Sequence, residues 1–164
     1  MDIKRVIAQF VLFSMFFLFL SMAQADPLFK GNMQKMDDYI GKGQWTVVML
    51  WASYCHVCNQ EVHEYQAFHD KYKGKNAQVI GISLDGQIDL AKGEGFIKRH
   101  QVKFPNLIDE PEIIATRYFE LTGSVWGGTP TFLIYSPKGE LLAQQVGAVP
   151  VPIIEKFIQD NPSL

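Results

Sequence analysis

The chain has 164 residues, with 15 Lys or Arg against 17 Asp or Glu, for a formal net charge of −2. With no run of basic residues, that balance gives no electrostatic support to a nucleic-acid-binding or membrane-surface role. The length suits one domain, and 48% apolar residues suffice to fill its core.

In chain order, Lys4 and Arg5 are followed by the apolar run Val6–Leu20 and then by Ala23-Gln24-Ala25. A basic start, an apolar middle and a small-residue cleavage point make up a secretory signal peptide, placed at residues 1–25. The competing reading is an uncleaved anchor, since Val6–Met22 is about 17 residues, at the short edge of a bilayer span. The position of the Ala-x-Ala site favours cleavage. Either reading puts the folded part, residues 26–164, in the periplasm or another extracytoplasmic space.

Met33–Ile40 reads as a short helix or turn. Thr46–Trp51 is a continuous apolar, β-branched run, which predicts a buried strand. A helix begins near Cys55, with Cys58, Val62, Tyr65, Phe68 or His69, and Tyr72 on its inner face at helical spacing, and Gly74 and Asn76 end it. Gln78–Leu84 is a second buried strand. Asp89–His100 is helix-like, although Gly93 and Gly95 weaken its first half. Phe104–Ile108 adds a short strand, and Glu112–Phe119 another helix. Thr131–Tyr135 and Leu141–Val146 are strands joined across Ser136-Pro137-Lys138-Gly139, a turn short enough to require an antiparallel hairpin. Pro152–Asp160 is a closing helix with Pro in its first turn. This order predicts an α/β fold: a mixed central sheet with helices on both faces.

The chain has two cysteines, three positions apart. Exported domains that use disulfides as scaffolding carry more of them, spread along the chain. A pair this close closes almost no loop and stabilises little as a staple. Cys55-His56-Val57-Cys58 is better explained by chemistry. It sits where a strand passes into a helix, and the unpaired amides of a helix start favour negative charge. A Cys55 thiolate there is stabilised, and its pKa falls below the free value of about 8.5. Cys55 is therefore assigned as the exposed nucleophile and Cys58 as the buried resolving thiol.

Other uses of the pair fit less well. A structural zinc site needs four protein ligands; His63 and His69 are six positions apart, outside the usual spacing. Haem attachment needs His directly after the second cysteine, where Asn59 stands. A peroxidatic cysteine of the peroxiredoxin kind wants Thr or Ser three before it and Pro seven before it. Ala52 and Val48 occupy those positions. No metal or cofactor is expected.

Val48–Cys58, Val-Met-Leu-Trp-Ala-Ser-Tyr-Cys-His-Val-Cys, resembles the active-site block of the TlpA/ResA/DsbE branch of the thioredoxin superfamily. Gly128–Ile134 resembles that family's Pro-Thr-Thr-Phe strand, and Val79–Asp85 with the following helix and Phe104-Pro105 resembles its central insertion. The likeness spans nearly all of Trp45–Ile158. It implies a thioredoxin-like fold with a TlpA-type insertion and thiol–disulfide oxidoreductase activity. It also implies that Pro130 is a cis-proline facing the cysteine pair, with Thr129 a backbone contact for substrate.

Glu61 matches a carboxylate of the ResA-like proteins. Three positions after Cys58, it lies on the same helix face, where burial would let it take and return the Cys58 proton. The alternative is a solvated helix carboxylate. The family often has proline two positions after this glutamate, where this chain has His63. Between the cysteines, His56 and Val57 are the expected redox-tuning positions; a His56 that donates to the Cys55 thiolate makes the disulfide more oxidising. Its alternative is a solvent-pointing side chain. Trp51 and Trp126 are assigned to the substrate-binding region, and Phe29 to the core.

Fold does not choose between reduction, oxidation and isomerisation. The resemblance favours a monomeric reductase of disulfides in exported proteins, apocytochrome c among the possibilities, recharged by a membrane donor of the DsbD or CcdA kind. An oxidase or isomerase is the alternative direction, but there is no room for a large helical insertion or an N-terminal dimerisation domain. A thiolate copper chaperone is the alternative of another class, although such proteins tend to space their cysteines one position further apart.

Overall fold

The computed structural model describes residues 27–162; the expected signal segment lies outside the described residues. Strands β1 (Trp45–Trp51) and β2 (Ala77–Ser83) are buried at every position. Their unbroken apolar runs suit strands covered on both faces. They pair in parallel, Trp45 with Ala77 through to Trp51 with Ser83. β3 (Asn106–Ile108) continues the sheet in parallel beyond β2. β4 (Thr131–Tyr135) runs antiparallel to β1 on its other side, and β5 (Leu141–Val146) closes the hairpin at that edge. The order is β3-β2-β1-β4-β5. Gly139 turns the hairpin at φ +93°, a conformation a side chain would strain.

Side-chain alternation along β1 sorts the helices onto the two faces. Trp45 meets Phe157 of α4 (Val151–Asp160) edge-on, and Trp51 stacks at 4.2 Å on Phe96 of α2 (Leu90–Arg99). Met49 lies opposite Phe132, whose ring stacks on Tyr65 of α1 (His56–Tyr72). On the other face, Thr46 Oγ1 and the Gln78 amide both donate to the Tyr39 carbonyl, just after the 3-10 turn Met33–Asp38. Arg117 of α3 (Pro111–Thr122) pairs with Asp37 of that turn at 3.6 Å. Helices thus cover both faces, and α2 with the segment leading into β3 forms the expected insertion, ahead of α3.

Two details refine the sequence reading. Tyr72 is only half-buried, and its hydroxyl donates to Glu155 of α4 at 3.0 Å instead of entering the core. Gly93, which lowers the helical propensity of α2, is buried. A β-carbon there would lie 3.0 Å from both Phe29 Cζ and Asp85 Oδ2, so glycine lets the helix approach. Before the 3-10 turn, Phe29 bridges Asn106, and Lys30 N–H donates to the Asn106 carbonyl at 2.8 Å. The first described residues thereby run along the outer edge of β3.

Candidate active site

The pairing of Leu50 with Thr131 brings the loop after β1 and the loop before β4 out at the same end of the sheet. Ser83, the last residue of β2, pairs with Trp51 and so ends there too. Three chain segments therefore converge beside the cysteines: 52–55, 84–85 and 126–130.

Cys55 caps α1, with extended backbone at φ −72°, ψ 112°, and is joined to Cys58 by a disulfide. The Cys58 backbone N–H donates to Cys55 Sγ at 3.1 Å. This is the orphan-amide contact that favours a thiolate when the disulfide is reduced. Cys55 is 8% exposed and Cys58 fully buried, so the outer sulfur belongs to Cys55. His56, the first residue of α1, is exposed, and Val57 is half-buried against the core.

The Thr129–Pro130 peptide bond is cis. The Pro130 carbonyl accepts the Gly147 N–H at 2.8 Å, which ties this loop to the segment after β5. Trp126 is half-buried, and its indole N–H donates to Thr131 Oγ1 at 3.2 Å. Trp126 therefore braces the loop ahead of the proline while keeping part of its ring at the surface. Tyr54, at 74% exposure, adds apolar surface on the 52–55 segment, and Val125, at 86%, adds it just before the 126–130 segment.

Glu61 is partly buried, and its Oε2 atom is enclosed without a hydrogen-bond partner. Burial, and then repulsion from Glu64, raises its pKa above the ordinary carboxylate value, while a hydrogen bond from the Val149 backbone N–H partly offsets this. One turn along, Tyr65 donates to the Val149 carbonyl at 2.6 Å. Tyr65 thus holds Val149, two residues beyond the Gly147–Pro130 bond. Three positions after Cys58, Glu61 lies on that cysteine's face of α1.

Trp51, expected among the substrate contacts, is instead a core residue. It is 1% exposed, stacks on Phe96, and donates its indole N–H to Asn106 Oδ1 at 3.0 Å. Ending a strand beside the cysteines does not bring its ring to the surface, because α2 covers that face. His69, considered above as a metal ligand, is buried, and its Nδ1 accepts the Val79 N–H at 3.1 Å.

Several residues that shape the site escaped the sequence reading. Asp85 accepts the Ser53 N–H at 3.1 Å, the Ser53 hydroxyl at 2.8 Å and the Ser83 hydroxyl at 2.8 Å. It fixes the loop two residues before Cys55. Its signal was positional: it follows the second buried parallel strand, at the carboxyl end where such sheets hold their sites. Asn59 bridges α1 to the Ser53 and Cys55 carbonyls. Asn106, the partner of Trp51, carries no local signal.

Residues 22–144 match the model of the AhpC/TSA family. The chain is 23% identical over 120 residues to sporulation thiol-disulfide oxidoreductase A of Bacillus subtilis, covering 73% of this chain and 69% of that protein. It is 26% identical over 130 residues to the thiol-disulfide oxidoreductase ResA of Bacillus cereus, covering 79% and 69%. Among solved structures, a DsbF homologue from Corynebacterium diphtheriae superposes with a TM-score of 0.64 at 22% identity, over 76% of this chain and 74% of that one. At that identity the superposition establishes the fold, which is thioredoxin-like.

Proposed function

The chain belongs to the AhpC/TSA family, and on that footing we propose that it is a thiol–disulfide oxidoreductase that reduces disulfides in extracytoplasmic proteins. The observation that carries this reading is the Cys55–Cys58 disulfide at the head of α1, with the Cys58 amide on Cys55 Sγ and a cis Thr129–Pro130 bond at the same end of the sheet. Relatives named as thiol-disulfide oxidoreductases support the reaction class. The leader-like residues 1–25 support an extracytoplasmic location.

In the reduced protein the Cys55 thiolate attacks one sulfur of a substrate disulfide. A mixed disulfide forms, and the other substrate sulfur leaves as a thiolate. Cys58 then gives up its proton and attacks Cys55 Sγ. The intramolecular disulfide forms, the second substrate thiolate departs, and two electrons have passed from protein to substrate. In this reading Glu61 receives the Cys58 proton, and Thr129 and the face around Tyr54 and Trp126 hold the substrate chain. The oxidised protein then needs a dithiol donor, for which a membrane protein of the DsbD or CcdA kind is the natural class. Oxidised c-type apocytochromes are one substrate class consistent with the resemblance to ResA.

A redox equilibrium of residues 26–164 against glutathione tests the direction. A potential near that of thioredoxin, about −270 mV, is expected. A value near about −120 mV would make the protein an oxidant and overturn the reductase assignment.

A further inference from the structure

Asn59 follows Cys58 directly and joins the cysteine loop to the inserted helix. Its Nδ2 donates to the Cys55 carbonyl at 2.8 Å and the Ser53 carbonyl at 3.1 Å. With both amide hydrogens used, Oδ1 faces His100 Nε2 at 2.8 Å and Arg99 Nη2 at 3.3 Å. This fixes the orientation of the carboxamide, since the reverse would set its oxygen against two carbonyls and its NH2 against a guanidinium. It also fixes two tautomers. His100 Nε2 must carry a hydrogen, so in the neutral ring Nδ1 is bare. His63 Nε2, 3.1 Å from that atom, must then be the donor.

The result is a chain of donors running one way: His63 to His100, His100 to Asn59, and Asn59 to the two carbonyls that flank Tyr54. Successive bonds of this kind polarise one another. His63, the head of the chain, stands where the family often has proline. A cation between the two rings is disfavoured, because Arg99 and Lys103 line the same recess.

The geometry points to Asn59 as a positioning residue for Cys55, held in place by the His63–His100 pair. The inference rests on the redox reading of the cysteines. In the oxidised protein the disulfide itself constrains the Cys55 backbone. Once it is reduced, that constraint is gone, and the Asn59 clamp keeps Cys55 in the capping conformation that directs the α1 amides at the thiolate. Loss of the clamp therefore harms the reduced state more than the oxidised one. The Cys55 thiol becomes less acidic, and the disulfide becomes harder to reduce.

The test is N59A and N59D in the protein bearing both cysteines, read by ultraviolet thiolate titration, by the glutathione equilibrium and by thermal melting. One or two hydrogen bonds of ordinary worth correspond to about a three- to tenfold loss of Cys55 acidity in N59A. A similar shift is expected in the equilibrium toward disulfide, tenfold being about 30 mV more negative. N59D keeps the contacts to His100 and Arg99 but has no hydrogen for the carbonyls, and its negative charge further disfavours the thiolate, so it should shift acidity at least as far as N59A. Unchanged Cys55 acidity in N59A, with only a lower melting temperature, would overturn the proposal. So would an N59D that titrates like wild type. If neither variant folds, H100A reads the same coupling, with about a two- to fivefold shift expected for one lost bond and none if the chain is idle. The thiolate titration needs no turnover, so its outcome stays separate from whether the wild-type protein reduces a substrate disulfide.

Discussion

Asp85 is the residue whose removal should reveal how the cysteine loop is held. It is buried and accepts from the Ser53 amide, the Ser53 hydroxyl and the Ser83 hydroxyl. Hydrogen bonds to a charged acceptor are worth about 1.5–3 kcal/mol each. The two hydroxyls can rotate toward other acceptors, whereas the Ser53 N–H cannot. Asp85→Ala should therefore cost about 3–4 kcal/mol, less than the sum of three independent bonds. Asp85→Asn keeps one acceptor oxygen but turns an NH2 group toward one of the donors, so about 1–2 kcal/mol is expected. With a urea slope of about 2 kcal/mol/M, the alanine variant's midpoint should fall by roughly 1.5–2 M, and the asparagine variant's by about half that. Equilibrium unfolding of the oxidised protein, followed by tryptophan fluorescence, measures both. A loss below about 1 kcal/mol in Asp85→Ala would refute the claim that this carboxylate organises the loop. An asparagine variant as stable as the wild type would show that a single acceptor oxygen suffices there.

Glu61→Gln should slow the resolving step about tenfold or more near neutral pH, within the range of general acid–base effects, measured by decay of a mixed disulfide trapped on Cys55; equal decay across pH would remove Glu61 from the mechanism. The same variant has a signature in stability. Because burial raises the Glu61 pKa in the folded state, the folded chain holds that proton more tightly than the unfolded one. Glu61 therefore contributes stability at low pH that is lost as pH rises through the folded value, and Glu61→Gln should flatten that decline in urea titrations across pH. Gly81→Ala should destabilise by about 2 kcal/mol or more, by overpacking. Its β-carbon would lie 2.0 Å from Asn106 Oδ1 and 2.7 Å from Trp51 Nε1. A wild-type melting temperature in that variant would show that the Trp51–Asn106 pair yields freely.

The strands were the elements that the sequence announced most clearly. Thr131–Tyr135, buried throughout, and Leu141–Val146, half-exposed, have the bounds read on either side of their short turn, and β1 and β2 differ from the reading by a residue at one or both ends. The cysteine pair was legible because its chemistry is local, needing only a helix start and two thiols one turn apart. What escaped was long-range. Trp51 looked like a site residue because it precedes the cysteines, but its environment is set by Phe96 and Asn106, which lie far along the chain. Gly93 looked like a helix weakener until Phe29 was seen beneath it. The Asn59–His100–His63 chain depends on how α2 crosses α1, and no spacing within either helix encodes that crossing.

The strip of chain along the outer edge of β3 has a bearing on biogenesis. Residues 29–31 and Met33 bond to Asn106, Ile108 and Asp109, the Met33–Asp109 contact spanning 76 positions. The strip is synthesised long before β3 and can seat as soon as Asn106–Asp109 emerge, before β4, β5 and α4 exist to complete the sheet. Without the strip β3 presents bare peptide groups, a template for strands of other molecules. A recombinant fragment begun after Met33 would hold that bare edge permanently. Its solubility, rather than its catalysis, would be the property to suffer.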